Sequence, residues 1–215
     1  MKLNYLSKDF KPEDVSFDSI EEEMAFCLEL GSCFSLMPEG EGVAPSWLLK
    51  SKVEDEVVFY PGTFNPWHLG HRACLDLCPG KPIIIVPDFN PWKEGEKRQR
   101  PWELVKDLLF RLENTNYSIF PGFLGKETGN PTIDWFPKVN IRNKSLLIGD
   151  DSFLSLHKWK DSAELVKHIS TLYVAPRGAR GDLLEEQIKK FPGLNIVFLE
   201  HHDFEGVSST GLRKE

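Results

Sequence analysis

Six short apolar runs stand out from a polar and charged background along the chain, at residues 57–60, 83–86, 117–120, 145–149, 171–175 and 195–199. Each is too short for a helix that must hide every side, and each ends at turn-forming or polar residues. That pattern predicts β-strands. Between them the spacing changes. Leu104, Leu108, Leu109 and Leu112 recur on one face across residues 101–113, which predicts an amphipathic helix. Residues 72–78 and 182–191 also suit helices, and helical segments are expected between residues 150 and 168. Strands without a polar alternation have no solvent face, so they predict a parallel sheet with helices on both of its faces. The expected fold class is α/β, doubly wound and mostly parallel. Ligands in such sheets bind at the carboxyl ends of the strands.

Residues 1–55 differ from the rest. Asp18-Ser19-Ile20-Glu21 resembles a capping box, and Ile20, Met24, Cys27 and Leu28 fall on one helical stripe. Gly31 is expected to stop this helix, residues 38–42 to form a loop, and Trp47, Leu48 and Leu49 to pack as a short helical turn. The segment is too small to hold a core of its own. It is therefore expected to be a helical extension docked on a main domain of residues 56–215.

Composition narrows the function classes. Of the 215 residues, 40% are hydrophobic and 12% aromatic, enough for a sizeable core. A net charge of −7 argues against broad nucleic-acid binding but leaves room for a small cationic pocket. No apolar stretch is long enough to span a bilayer, and the first sixteen residues lack the apolar core of a signal peptide. A cytoplasmic protein is expected. Oligomeric state leaves no signal. The four cysteines, Cys27, Cys33, Cys74 and Cys78, form no Cys-x-x-Cys pair and lack a convincing set of companion metal ligands. They are expected to be reduced and buried.

The densest chemistry follows the first strand, in Pro61-Gly62-Thr63-Phe64-Asn65-Pro66-Trp67-His68-Leu69-Gly70-His71. A strand, a tight turn and a helix opening with His-x-Gly-His set His68 and His71 at a helix N-terminus. The free N–H groups and the dipole there favour anions. Gly62 permits the turn, and Gly70 allows close backbone approach. The bland reading is that both imidazoles merely cap the helix. Beyond the sixth strand, Ser208, Ser209 and Thr210 precede Gly211-Leu212-Arg213, offering hydroxyls, open N–H groups and a guanidinium to a second anion site.

The two motifs together resemble the signature of nucleotidyltransferases that bind ATP through a His-x-Gly-His helix and a Ser-Ser-Thr-x-Leu-Arg partner. The middle of the chain resembles one branch, the nicotinate or nicotinamide mononucleotide adenylyltransferases. The matching segments are Val86-Pro87 with Pro91-Trp92-Lys93, Pro131-Thr132-Ile133-Asp134, Leu147 through Phe153, Trp159-Lys160 and Val174-Ala175-Pro176-Arg177. The resemblance implies a Rossmann-like fold and adenylyl transfer to a pyridine mononucleotide, with nicotinate favoured over nicotinamide. It implies that ATP meets Gly62, Thr63, Phe64, His68, Gly70, His71, Gly149, Asp151, Ser208, Ser209, Thr210 and Arg213, with His68, His71 and Arg213 acting in catalysis. It places the mononucleotide on Lys93, Thr132, Trp159 and Arg177, with Trp159 stacking on the pyridine ring. Mg²⁺ is expected to arrive with ATP rather than in a protein cage.

The competing reading of Asp150 and Asp151 is a helix cap and that of Trp159 a core aromatic, while His157 and His168 are expected on helix surfaces and His201 and His202 in loop packing. Another phosphorylated acceptor such as phosphopantetheine, a cytidylyl donor, or a regulatory nucleotide-binding protein are the alternatives. Members of this branch continue past the serine-rich motif into C-terminal helices. The N-terminal helix is expected to cover the surface those helices would occupy.

Overall fold

Val57, Val58, Phe59 and Tyr60 are all buried, so the first apolar run has no solvent face and takes a partner on each side. The computed structural model describes residues 4–88, 99–207 and Leu212. Its strands are β1 (Glu56–Gly62), β2 (Ile83–Pro87), β3 (Ser118–Ile119), β4 (Asn143–Gly149), β5 (Leu172–Ala175) and β6 (Ile196–Phe198). They form one sheet in the order β3-β2-β1-β4-β5-β6 with every pairing parallel. Phe59 lies opposite Ile84 on one neighbour and Leu146 on the other. The helices are α1 (Ile20–Ser32), α2 (Leu69–Leu77), α3 (Pro101–Arg111), α4 (Thr132–Trp135), α5 (Asp150–Ser155), α6 (Ser162–Leu165) and α7 (Gly181–Ile188). All six expected strands are present, in a Rossmann-like α/β fold.

The strand order positions the site. From β1 the chain moves outward through β2 and β3, then returns to β4 on the other flank of β1. The loops after β1 and β4 leave in opposite directions, which opens a crevice at their carboxyl ends. Gly62 ends β1 and Gly149 ends β4. Two of the glycines singled out from the sequence therefore border this crevice.

The N-terminal segment shares the core of the sheet domain rather than sitting lightly on it. Phe26, Cys27, Leu30, Phe34, Met37 and Leu48 are buried together with strand residues. The Trp102 ring, at the start of α3, meets Phe26 edge-on at 5.0 Å, and its indole N–H donates to the Val15 carbonyl at 3.2 Å. Buried Glu23 accepts the Trp102 backbone N–H and pairs with Arg100 at 3.0 Å. A carboxylate this deep is tolerable only with such partners.

The details of α1 correct the sequence reading in three ways. Its N-cap is Ser19, whose hydroxyl accepts the Glu22 N–H, while Glu22 accepts the Asp18 N–H, so the capping interaction uses Glu22 rather than Glu21. Ile20 and Leu28 are exposed, and the buried face is Glu23, Phe26, Cys27, Leu30 and Gly31. Gly31 does not stop the helix. It lies inside it, where a Cβ would stand 2.6 Å from the Gly122 Cα. Close backbone approach at that crossing, with Phe26 reaching Trp102, sets the rotation of the helix.

The same segment closes one edge of the sheet. The Ile119 N–H of β3 donates to the Leu48 carbonyl at 2.9 Å, the Lys50 N–H to Ser118 Oγ at 3.0 Å, and Ser51 Oγ to the Asn116 carbonyl at 2.6 Å. Lys50 Nζ also donates to the Leu112 carbonyl at 2.6 Å, satisfying the end of α3. All four cysteines are free and buried, as expected. Among the described residues no helix is long and apolar enough to cross a membrane.

Candidate active site

The turn after β1 delivers both histidines to the crevice. His68 is the N-cap of α2, and its backbone N–H donates to His71 Nδ1 at 3.4 Å. The capping role weighed from the sequence is therefore real, but it also fixes chemistry. With Nδ1 as acceptor, the neutral ring of His71 carries its proton on Nε2. The imidazoles stack at 3.7 Å between centroids and 23° between planes. Phe64 stands edge-on to His71 at 5.0 Å, Trp67 tilts against it at 5.1 Å, and Tyr60 lies beyond at 6.3 Å. Phe64 is buried with φ at +47°, a left-handed conformation costly for a side chain of this size. Gly62 accommodates it, since a Cβ there would come within 2.9 Å of the Phe64 ring. The Phe64 ring thus packs between Gly62 and His71.

Electrostatics follow from this packing. Burial holds the His71 pKa down to about 2, helped by His68 and Arg177, and burial with Arg177 holds His68 down to about 4. Both rings are neutral at pH 7. Among the described residues neither ring nitrogen of His68 has a hydrogen-bond partner, although both atoms are buried. Such an unmet requirement fits oxygen atoms of a bound anion.

The pH dependence has a definite sign. In the unfolded chain each imidazole titrates near 6.5, so between there and the folded values the unfolded state binds more protons. Stability from keeping the rings neutral is complete above pH 6.5 and declines as pH falls toward 4. The melting temperature should drop over that interval. A folded His68→Asn/His71→Asn double variant should show a shallower drop, and identical slopes would refute the assignment.

The β4 side supplies the opposite wall. Gly149 is the N-cap of α5, and a Cβ there would overlap Asp151 Oδ1 and the Arg177 side chain. Asp151 is exposed at the rim. Asp150 is buried, and its Oδ2 accepts the backbone N–H groups of Arg177 at 2.8 Å and Ala179 at 2.9 Å. Asp150 therefore clamps the β5–α7 loop instead of capping α5. Nothing in an Asp-Asp pair marks which carboxylate turns inward, so the sequence left this role open.

Arg177 reaches from that loop and donates through Nη2 to the Val207 carbonyl at 3.2 Å. Residues 204–207 also approach α2, since a Cβ on Gly70 would stand 3.0 Å from the Phe204 carbonyl oxygen and from His68 Nδ1. The structure thus brings together Gly62, Phe64, His68, Gly70, His71, Gly149, Asp151 and Arg177, with Thr63 half-buried in the same turn. Ser208, Ser209, Thr210, Arg213 and Lys93 lie outside the described residues. Thr132 opens α4, and Trp159 is half-buried against the core just after residues 156–158. An ion pair of 2.7 Å between Lys160 and Asp134 ties these two segments together. His201 pairs with Glu205 at 2.6 Å, and His168 with Glu164 at 3.4 Å. Among the described residues, no group of three His, Cys, Asp or Glu side chains could hold a metal ion.

Comparison with known proteins places this geometry in a lineage. The model of the cytidylyltransferase-like family matches residues 59–215. A probable nicotinate-nucleotide adenylyltransferase of Aquifex aeolicus is 27% identical over 153 residues, covering 62% of this chain and 84% of that protein. Proteins of the same name from Hydrogenobaculum sp. and Leptospira interrogans are 26% and 28% identical over 177 and 167 residues. These cover 74% and 72% of this chain, and 84% and 82% of the relatives. The matched span takes in both histidines, the Gly149 wall, Arg177 and the serine-rich motif. The chain is a nucleotidyltransferase and belongs to the cytidylyltransferase-like family.

Proposed function

We propose that this enzyme transfers the adenylyl group of ATP to nicotinate mononucleotide, giving the dinucleotide and pyrophosphate in NAD biosynthesis. The carrying observation is the stacked pair of buried imidazoles at a helix N-terminus, beside the 204–207 segment that the Arg177 guanidinium holds. The relatives' names support the adenylyl donor and the nicotinate acceptor.

The chemistry needs no protein nucleophile. A phosphate oxygen of the mononucleotide attacks the α-phosphorus of ATP, the bond to the bridging oxygen breaks, and pyrophosphate leaves with those electrons. The protein must align the reactants and stabilise charge on the leaving group. His71 donates from Nε2 to a phosphate oxygen near the transferred group, and His68 serves a neighbouring oxygen. Thr63, Ser209, Thr210 and Arg213 complete the cradle, with Ser208 entering it. Gly149 and Asp151 hold the nucleoside, the carboxylate accepting from a ribose hydroxyl. Thr132, Lys93 and Trp159 receive the mononucleotide, and the indole face suits an electron-poor pyridinium. Mg²⁺ enters on ATP, held by phosphates and water.

Pyrophosphate release tests this directly. With ATP, nicotinate mononucleotide should give turnover well above nicotinamide mononucleotide. Release only with nicotinamide mononucleotide or with phosphopantetheine, or only from CTP, would replace the acceptor or donor named here. Nucleotide binding without release from any pair would leave a regulatory protein.

A further inference from the structure

Arg177 combines features that no other cation in the described residues shares. Its backbone is clamped by buried Asp150, and its stem lies over Gly149, where a Cβ would stand 2.6 Å from the Arg177 Cδ. Its charge is felt by His68, His71 and Cys74 of the β1–α2 unit and by Tyr60 of β1, which also senses Asp151. Among the described residues no carboxylate lies within 4.0 Å of the guanidinium. One of its N–H groups holds the Val207 carbonyl, immediately before the serine-rich motif.

We propose that Arg177 is the fixed cation of the polyphosphate site, gripping the donor's triphosphate opposite the two imidazoles, and that it is not a contact to the mononucleotide. The inference rests on the adenylyl-transfer reading. A triphosphate brings several negative charges, and two neutral rings meet them only with hydrogen-bond dipoles. A guanidinium stays charged at any working pH and presents five donors in a fixed fork, one engaged here by Val207. Its site is also pre-organised. The Asp150 clamp fixes where the side chain starts, and Gly149 leaves the space through which it runs.

The same placement ties the β5–α7 loop to the segment ending at Val207. The guanidinium holds the carbonyl of Val207, in the 204–207 segment whose Phe204 carbonyl lies against Gly70 at the start of α2. Its positive charge adds to burial in holding both rings neutral. Removing the charge should therefore weaken anion binding and let the imidazoles protonate at higher pH.

Calorimetric titration of the full-length protein with magnesium and inorganic tripolyphosphate, an anion with neither base nor acceptor, tests the proposal. Arg177→Met retains the apolar stem and should bind tripolyphosphate about tenfold or more weakly. Arg177→Lys keeps the charge without the fork and should recover part of that loss. Affinity for nicotinate mononucleotide alone should stay within about twofold of wild type, and the KM for ATP should rise without the KM for the mononucleotide. The acid limb of the pH–rate profile should move to higher pH in Arg177→Met and stay in place in Arg177→Lys, a split that a merely structural arginine would not produce. Should Arg177→Met fail to fold, Arg177→Gln at the same titration replaces it. Equal tripolyphosphate affinity in variant and wild type, or lost mononucleotide affinity with tripolyphosphate retained, overturns the proposal. So does a wild-type protein that turns over ATP yet ignores tripolyphosphate. If no acceptor releases pyrophosphate but Arg177→Met still loses tripolyphosphate, the reaction assignment fails and the anion site stands.

Discussion

His71→Ala should remain folded and lose at least about a hundredfold in turnover, the scale set by removing one donor from a pre-organised oxyanion site. The ring lies 6% exposed, stacked on His68 and walled by Phe64 and Trp67, and its Nδ1 is committed to the His68 N–H. A single tautomer is thereby selected, with Nε2–H as donor. Alanine removes that donor and one member of the helix cap together. The cap costs about 1 kcal/mol of stability, tolerable for a domain with this core. The lost donor acts on the barrier, so the two effects separate. Thermal melting should report a modest shift, while single-turnover kinetics should show the loss in the chemical step. His71→Asn, which offers an N–H of similar reach, should recover part of the rate. A folded His71→Ala enzyme with wild-type turnover would remove this residue from the reaction.

Deleting residues 1–50 should abolish cooperative folding or lower the melting temperature drastically. Phe26, Cys27, Leu30, Phe34, Met37 and Leu48 are all buried, and a fully buried large apolar side chain contributes about 1.5–3 kcal/mol. The five large ones among them give about 8–15 kcal/mol, an upper bound because the unfolded chain already buries part of this surface, and comparable to the whole stability of a typical domain. The deletion also strips the Trp102 indole and backbone N–H groups of Val15 and Glu23, and leaves Ser118 and Ile119 without Leu48 and Lys50. Calorimetry, with dye binding to report exposed apolar surface, reads the outcome. An unchanged melting curve would show that residues 1–55 merely decorate a self-sufficient unit of residues 56–215.

Strands were legible because burial on both faces writes an uninterrupted apolar run, as in Ile83–Val86, that no local polar residue contradicts. The β1–α2 turn was legible for a related reason. Only a glycine accommodates the Phe64 ring at position 62, and two histidines three apart at a helix start are a local pattern that needs no distant partner to be seen. The rotation of α1 was not legible. Ile20 and Leu28 are as apolar as Phe26 and Leu30, and the choice between them is made by Trp102 and Gly122, far along the chain. Asp150 was obscured likewise, because its acceptors' partners are backbone N–H groups that any residue would supply. The place of Arg177 depends on Val207 and Gly149 converging from two other segments, information carried by the sheet order alone.

The pairing of residues 48–51 with β3 makes the sheet one-sided toward other chains. An unpaired strand is a template on which foreign backbone can add, and a blocked one is not. On the β3 flank that template is covered by the molecule's own first fifty residues, leaving β6, with Phe198 exposed, as the other end. Proteolytic nicking between positions 45 and 52 would touch no catalytic group, yet it would uncover the β3 rim to foreign backbone, so loss of this enzyme to aggregates need not begin with any damage to its chemistry.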